Sequence, residues 1–374
     1  MNRSARNATL SRGMTLPELM VGLALGLFIV TIAVSTFVST RKLNLVSSSS
    51  TRMTENARLA TETLHTDLRS AGFAGCRTHE QRDKGPPVVV AVKPDFGFLT
   101  DGNSGVRGFT GTTTGHSPAL PSAIGTALTA ASMTAYAPIP RSDVVSIRVP
   151  VDTTALGLVA SMTLTSPSPR IEAGLTGNAI APGDILLISN CQASAIYQVS
   201  AYDSATGALA PDAGSLTPGN ISSDLGNFFQ SGETSVYRLQ TRHYYVAPSK
   251  LRAGTNSLWR LIVPGLNGGA PVPEEVAAGV DRLLITYGVD SDGTPDLNIN
   301  QYVTASNGLL GSDANKWDRV LSARVQMVAA TSDDRMAQPG NKTYTLMDGS
   351  TLNTTDARLR MVLTEVVTLR NGTP

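Results

Sequence analysis

Leu19 to Val38 is a run of 20 residues without a formal charge, LMVGLALGLFIVTIAVSTFV. As a helix it rises about 30 Å, the thickness of a bilayer's hydrocarbon core, where only a helix or a closed barrel satisfies its own backbone. The residues before it carry Arg3, Arg6 and Arg12 and no acid, and Arg41 and Lys42 lie beyond it. Three positive charges against two favour a cytoplasmic N-terminus, with the rest of the chain on the far side. A secretory signal ends in a small-residue cleavage site. No such site follows Val38, so the segment taken alone reads as an uncleaved signal anchor.

Glu18 disturbs that reading. A carboxylate at the edge of an apolar segment is costly in lipid unless it has a partner. One partner is local, because Thr15 and Glu18 have the T-x-x-E spacing of a capping box, and Pro17 is tolerated in a first turn. The other is a cation from a second chain. The string Arg12-Gly13-Met14-Thr15-Leu16-Pro17-Glu18-Leu19-Met20-Val21-Gly22 resembles the type III signal sequence of type IV pilins and pseudopilins. The resemblance implies cleavage by a prepilin peptidase after Gly13 and N-methylation of Met14, with Glu18 as fifth residue of the mature chain. Met14 stands where the family usually has Phe, and Pro17 where it has an aliphatic residue. An amine at Met14 and a carboxylate at Glu18, each costly alone in lipid, stabilise one another when helices pack side by side. Gly22 and Gly26 add a GxxxG spacing that permits close helix approach.

The helix is expected to continue to Ala71. Met53, Ala57, Ala60, Leu64, Leu68 and Ala71 recur at steps of three and four, while Arg52, Glu55, Arg58, Glu62, Asp67 and Arg69 form the other, polar face. Gly72 is the expected stop. Ser47–Ser50 is a weak helix former, expected to be a flexible or melted stretch. His65, with no metal partner four residues away, reads as a solvated helix residue. From Gly72 on the character is β. Candidate strands are Val88–Val92, Val144–Val149, Ile185–Ser189, Ile196–Ser200, Val236–Val246, Leu258–Val263, Leu283–Val289, Val320–Val328 and Arg360–Leu369. Thr100–Pro140 reads as a long loop insertion for mobility or partner binding. The expected fold is therefore α+β: a long pilin-type helix, half transmembrane and half amphipathic, packed on a head rich in antiparallel sheet. Its parts are a leader (1–13), the helix (14–72, with a transmembrane segment at about 19–38) and the head (73–374).

With the head outside the cytoplasm, the oxidising compartment favours a disulfide between Cys76 and Cys191, the chain's two cysteines, over two free thiols. Further stretches narrow the resemblance to the minor-pilin family PilW: Glu55-Asn56-Ala57-Arg58, Asp67-Leu68-Arg69-Ser70-Ala71-Gly72-Phe73, Gly75-Cys76, Asn190-Cys191, Tyr287–Gly293, Trp317 with Val320–Val328, and Val366–Asn371. That resemblance implies a non-enzymatic role in priming type IV pilus assembly. The expected partners are other minor pilins, the major pilin, prepilin peptidase, the inner-membrane assembly platform and a large tip adhesin. The expected location is the inner membrane of a Gram-negative bacterium with a periplasmic head, and then the fibre tip. A minor pseudopilin of type II secretion shares the same membrane mechanism. A membrane-anchored periplasmic enzyme or binding protein is the alternative of another class.

Composition excludes much else. A net charge of +1 offers no broad surface for nucleic acid. Four scattered histidines (His65, His79, His116, His243) give no HExxH spacing. Neither GxSxG, nor a P-loop, nor CxxC occurs. No cofactor is expected, with one candidate exception. Asp290, Asp292 and Asp296 form D-x-D-G-x-x-D, a hint of calcium. An EF-hand loop would need Gly sixth and Glu twelfth, whereas Gly293 is fourth and Gln301 twelfth, so an acidic turn after a strand is the competing reading.

Overall fold

The structure is a computed structural model that describes residues 13–77, 88–94, 97–100, 105–151, 155–164, 167–174, 180–214, 216–292, 298–332, 336 and 340–372. One helix, α1 (Leu16–Ser70), runs for 55 residues. The serine run expected to melt is helical throughout. Hydroxyls here bond their own helix instead of competing with it: Ser48 Oγ donates to the Leu45 carbonyl at 3.1 Å, and Thr51 Oγ1, just past the run, to that of Ser47 at 3.0 Å. The chain divides into two compact units between Thr51 and Arg52. The described part of the first is Gly13–Met14–Thr15 and the apolar stretch of α1.

The second unit begins with the last turns of α1. Met53, Ala57, Ala60, Leu64, Leu68 and Ala71 are all buried, as their spacing predicts. The helix stops at Gly72, whose φ of 68° is the left-handed conformation that a C-terminal cap needs. Asn371, at the other end of the chain, donates from Nδ2 to the Ala71 carbonyl at 2.9 Å and so occupies an acceptor the helix leaves unpaired.

Ten principal strands follow: β1 (Val106–Gly111), β2 (Val144–Pro150), β3 (Ile185–Ser189), β4 (Ser194–Gln198), β5 (Ser235–Pro248), β6 (Asn256–Val263), β7 (Val272–Ala278), β8 (Val280–Val289), β9 (Val320–Ala330) and β10 (Arg360–Thr368). β5 is the spine of the larger sheet. On one side it pairs β3 through Ser235–Leu239 and then β6 through Thr241–Pro248; on the other it pairs β2 through Leu239–Tyr244. β4 extends the sheet beyond β3, β1 beyond β2 and β7 beyond β6. The short strand Val89–Val90 joins β4 in parallel. The smaller sheet is antiparallel in the order Gln301–Val303, β8, β9, β10. Ala60, Leu64, Leu68 and Ala71 of α1 share one core with Val145 and Ile147 of β2, Tyr244 of β5, and Leu283, Tyr287, Val325 and Val367 of the smaller sheet.

Two expectations are corrected here. Thr100–Pro140 is not a loop insertion: it supplies β1, and a helix, α2 (Ser122–Ala130), that buries Ile124 and Leu128 against Tyr245 and Trp259. Its Gly- and Thr-rich sequence conceals these short elements because neither period runs long enough to stand out. Ile196–Ser200 shifts to Ser194–Gln198, since the hairpin from β3 sets the register Ser189↔Ser194.

Candidate subunit-assembly site

Gly13, Met14 and Thr15 precede the helix and are exposed. Glu18 lies in the first turn. Its Oε2 accepts the Thr15 backbone N–H at 3.2 Å and the Thr15 hydroxyl at 3.1 Å. This is the Glu half of a capping box, as the T-x-x-E spacing predicts. Pro17 costs no hydrogen bond, because the first-turn N–H groups have no intrahelical acceptor. Both contacts fall on Oε2, so Oε1 keeps acceptor capacity among the described residues. Beyond Glu18 the apolar side chains are all exposed, from Leu19 at 52% to Val38 at 58%. A Cβ added at Gly22 or Gly26 would meet nothing within 4 Å. The helix is long and apolar enough to cross a membrane.

At the other end of α1 a polar cluster ties the helix to the sheet. Asp67, placed on the polar face by its charge, is instead buried at 5% exposure. Its Oδ1 accepts Arg242 Nη1 at 2.6 Å and its Oδ2 accepts the Tyr244 hydroxyl at 2.5 Å. Arg260 stands 3.9 Å away, donates to the Tyr244 hydroxyl at 3.3 Å, and pairs with Glu274. Burial and the Asp67 carboxylate hold the Tyr244 phenol well above its usual range. A sequence signal existed: Asp67 lies three residues after Leu64 and seven after Ala60, on the apolar stripe itself. His65 is corrected likewise. It is not simply solvated, for its Nδ1 meets Glu365 Oε1 of β10 at 2.5 Å.

Residues 243–371 match the family model PilW, Type IV Pilus-assembly protein W. Over that part of its length the chain is similar to this pilus-assembly family. No curated protein and no solved structure matches it. The PilW match opens inside β5 and takes in β6 to β10, so it contains Tyr244, Arg260 and Glu274 of the Asp67 cluster, while Arg242 lies one residue before it.

Cys76 and Cys191 form a disulfide with Cα atoms 5.1 Å apart, joining the segment after α1 to the turn between β3 and β4. Ser189 Oγ donates to the Ala74 carbonyl beside it at 2.8 Å. Asp290 and Asp292 follow β8, where Asn300 donates to Asp292 Oδ2 at 3.0 Å. Gly293 and Asp296 lie outside the described residues. No group of three or more His, Cys, Asp or Glu that could hold a metal occurs among the described residues.

Two buried titratable groups join elements of this head. His243 Nδ1 meets Ser146 Oγ at 2.7 Å and Nε2 meets the Gly97 carbonyl at 2.8 Å. The Ser–His distance would suit a nucleophile and its base. Both side chains are buried, though, at 2% and 1% exposure, and the ring's second nitrogen is committed to the backbone, so the pair serves as a core polar link. Burial lowers the His243 imidazole to about 4, against the opposing pull of the Gly97 carbonyl. Asp143 binds the two sheets together, accepting the N–H groups of Gly111 at 2.8 Å and Ile285 at 2.7 Å. Burial pushes its carboxyl up to about 7, the two N–H groups oppose the rise, and Asp348 adds to it.

Proposed function

We propose that this protein is a minor pilin of the PilW family that helps initiate type IV pilus assembly, without enzymatic chemistry, as part of a priming complex near the fibre tip. Prepilin peptidase cuts after Gly13 and leaves Met14 as the N-terminal residue. The amine of a neighbouring subunit then pairs with Glu18. The observation that carries this reading is the first turn of α1. The Glu18 carboxylate is oriented by Thr15 through one oxygen while the other keeps acceptor capacity, directly before 20 uncharged residues that bury nothing of their own. A carboxylate so placed at a bilayer's edge favours a cation delivered by another helix. The described fit of a membrane anchor and the PilW match support placing the head in the periplasm of a Gram-negative envelope. The match also favours a pilus over a secretion pseudopilin. Other minor pilins, the major pilin, the assembly platform and a tip adhesin are the proposed partners. Calcium at Asp290, Asp292 and Asp296 remains a proposal of its own: titration calorimetry of the full chain in detergent would give heat in the millimolar range, and none would dispose of it.

The test is mass analysis of the mature N-terminus, combined with the fate of Glu18→Ala. Processing yields a methylated Met14 terminus, and Glu18→Ala is processed and folded but excluded from sheared fibres. An intact Met1 terminus in cells with active peptidase would refute the pilin reading. Normal incorporation of Glu18→Ala would refute the ion-pair step.

A further inference from the structure

A sheet edge invites unwanted pairing unless it is short, charged, bulged or interrupted by proline. Among the described residues the head protects its edges in these ways, with one exception. Val89–Val90 and His116–Ser117 are two residues long and Gln301–Val303 is three. β7 carries Pro273, Glu274 and Glu275. β10 is the exception. It runs nine residues, Arg360–Thr368, without Pro, Gly or Lys, and its register with β9 is unbroken. Among the described residues it pairs only with β9.

Its two charges do not guard it. Arg360 is held by Asp281 at 2.8 Å and Asp356 at 2.6 Å, and Glu365 by His65. The direction of its free backbone groups follows from the ladder. Leu369 N–H donates to the Leu321 carbonyl, and Thr331 N–H to that of Leu359. Hence odd-numbered residues of β10 bond β9, and the N–H and C=O of Val362, Thr364 and Val366 point to the open side. The side chains of those same residues are exposed, Val362 at 38% and Val366 at 50%. Among the described residues the edge thus presents unpaired backbone groups beside β-branched side chains, with no net charge to repel a partner.

We infer that β10 is a strand-addition site, and that its occupant is a neutral extended segment with small β-branched side chains contributed by a different subunit. Such a segment completes the hydrogen bonds of residues 362, 364 and 366 and lays alternate side chains beside the two valines. Charge complementarity sets the neutral requirement, because both ionic groups of the strand are already satisfied within the chain. A second copy is disfavoured by direction. Met361 and Leu363 pack with Met53 and Ala57, Glu365 meets His65, and Asn371 meets Ala71, so β10 runs in the same sense as the last turns of α1. Antiparallel pairing of two β10 strands would turn the two Arg52 ends apart, although both chains must reach one bilayer through the residues just before. This exclusion of a second copy rests on the membrane reading above; the open edge does not.

The probe is a blocked seven-residue peptide alternating threonine and valine, added to the full chain in detergent, with amide exchange followed residue by residue. The peptide should slow exchange at Val362, Thr364 and Val366 at least tenfold and leave Leu363 and Glu365, already bonded to β9, unchanged. Thr364→Pro removes an outward N–H, together with the hydroxyl that accepts Gln326 Nε2 at 3.1 Å, and should weaken peptide binding at least tenfold. Should that variant misfold, Val362→Lys with Val366→Lys changes only exposed side chains and should have the same effect. Unchanged exchange at saturating peptide, or equal affinity in the edge variants, would overturn the inference. Protection of the three amides without peptide, with a dimer by light scattering, would also overturn it by making a second copy the occupant. None of these arms depends on processing or piliation, so failure of the pilin reading would show separately, at the N-terminus.

Discussion

Replacing Asp67 by alanine should destabilise the head by about 3 kcal/mol. Its carboxylate is buried and takes two short hydrogen bonds, from Arg242 at 2.6 Å and Tyr244 at 2.5 Å. Removing one member of a buried ion pair costs roughly 3–5 kcal/mol, mainly because the surviving charge stays buried without its counter-ion. The lower end applies. Arg242 keeps 18% side-chain exposure and can be partly hydrated, and Arg260 retains Glu274. Asp67→Asn preserves an acceptor for the Tyr244 hydroxyl and should cost less than Asp67→Ala. The full chain in detergent would be unfolded in urea and followed by the fluorescence of Trp259 and Trp317, both buried. A change of about 3 kcal/mol is roughly a 150-fold change in the unfolding equilibrium. Glu62→Ala, on the exposed face of the same helix, should stay within about 0.5 kcal/mol. If Asp67→Ala fell within that range too, or if Asp67→Ala and Arg242→Ala were additive, the cluster would not be a coupled buried pair.

Buried His243 and Asp143 act in opposite directions with pH. Below about 6.5 the unfolded chain protonates its histidine while folded His243, at about 4, does not, so this group removes stability as pH falls. Folded Asp143 protonates near 7 and an unfolded aspartate only near 3.8, so this group adds stability over the same fall. The two cancel in the wild type between pH 6 and 5. His243→Asn should therefore gain, relative to wild type, about 1.4 kcal/mol per unit of acidification, and parallel profiles for the two proteins would contradict the assignment. Cys76→Ser with Cys191→Ser opens a loop of 115 residues and should cost about 5 kcal/mol in the chain-entropy model, read as a lowered urea midpoint. Gly105→Ala should prevent proper docking of the helix end. Gly105 has φ of 60° and its added Cβ would overlap the backbone of Gly72, so a wild-type melting temperature would disprove that contact.

Periodicity carried most of what was legible. The stripe from Met53 to Ala71 and the strands β2, β3, β5, β8 and β9 have runs long enough for a period to register, and they lie where the spacing places them. β7 escaped because Pro273, Glu274 and Glu275 suit an edge and spoil an apolar pattern. Glu18 was legible because its cost in lipid is a local property. Asp67 and His65 were misread because charge alone says that a residue prefers water, and only tertiary contact supplies the arginine and tyrosine that compensate the burial of Asp67, or the glutamate that His65 meets.

By itself, then, the order of amino acids determined the membrane-length helix, its acidic first turn, the amphipathic continuation and a β-rich remainder, since each follows from near-neighbour spacing and solvent preference. Only the tertiary structure decided which strands meet, that Asn371 caps a helix 300 residues earlier, and that Asp67 and Asp143 are core acceptors. It also decided that β10 stands at an edge with its charges spent internally. These depend on partners far apart in the chain, brought together by burial of the shared core, and no local pattern encodes them.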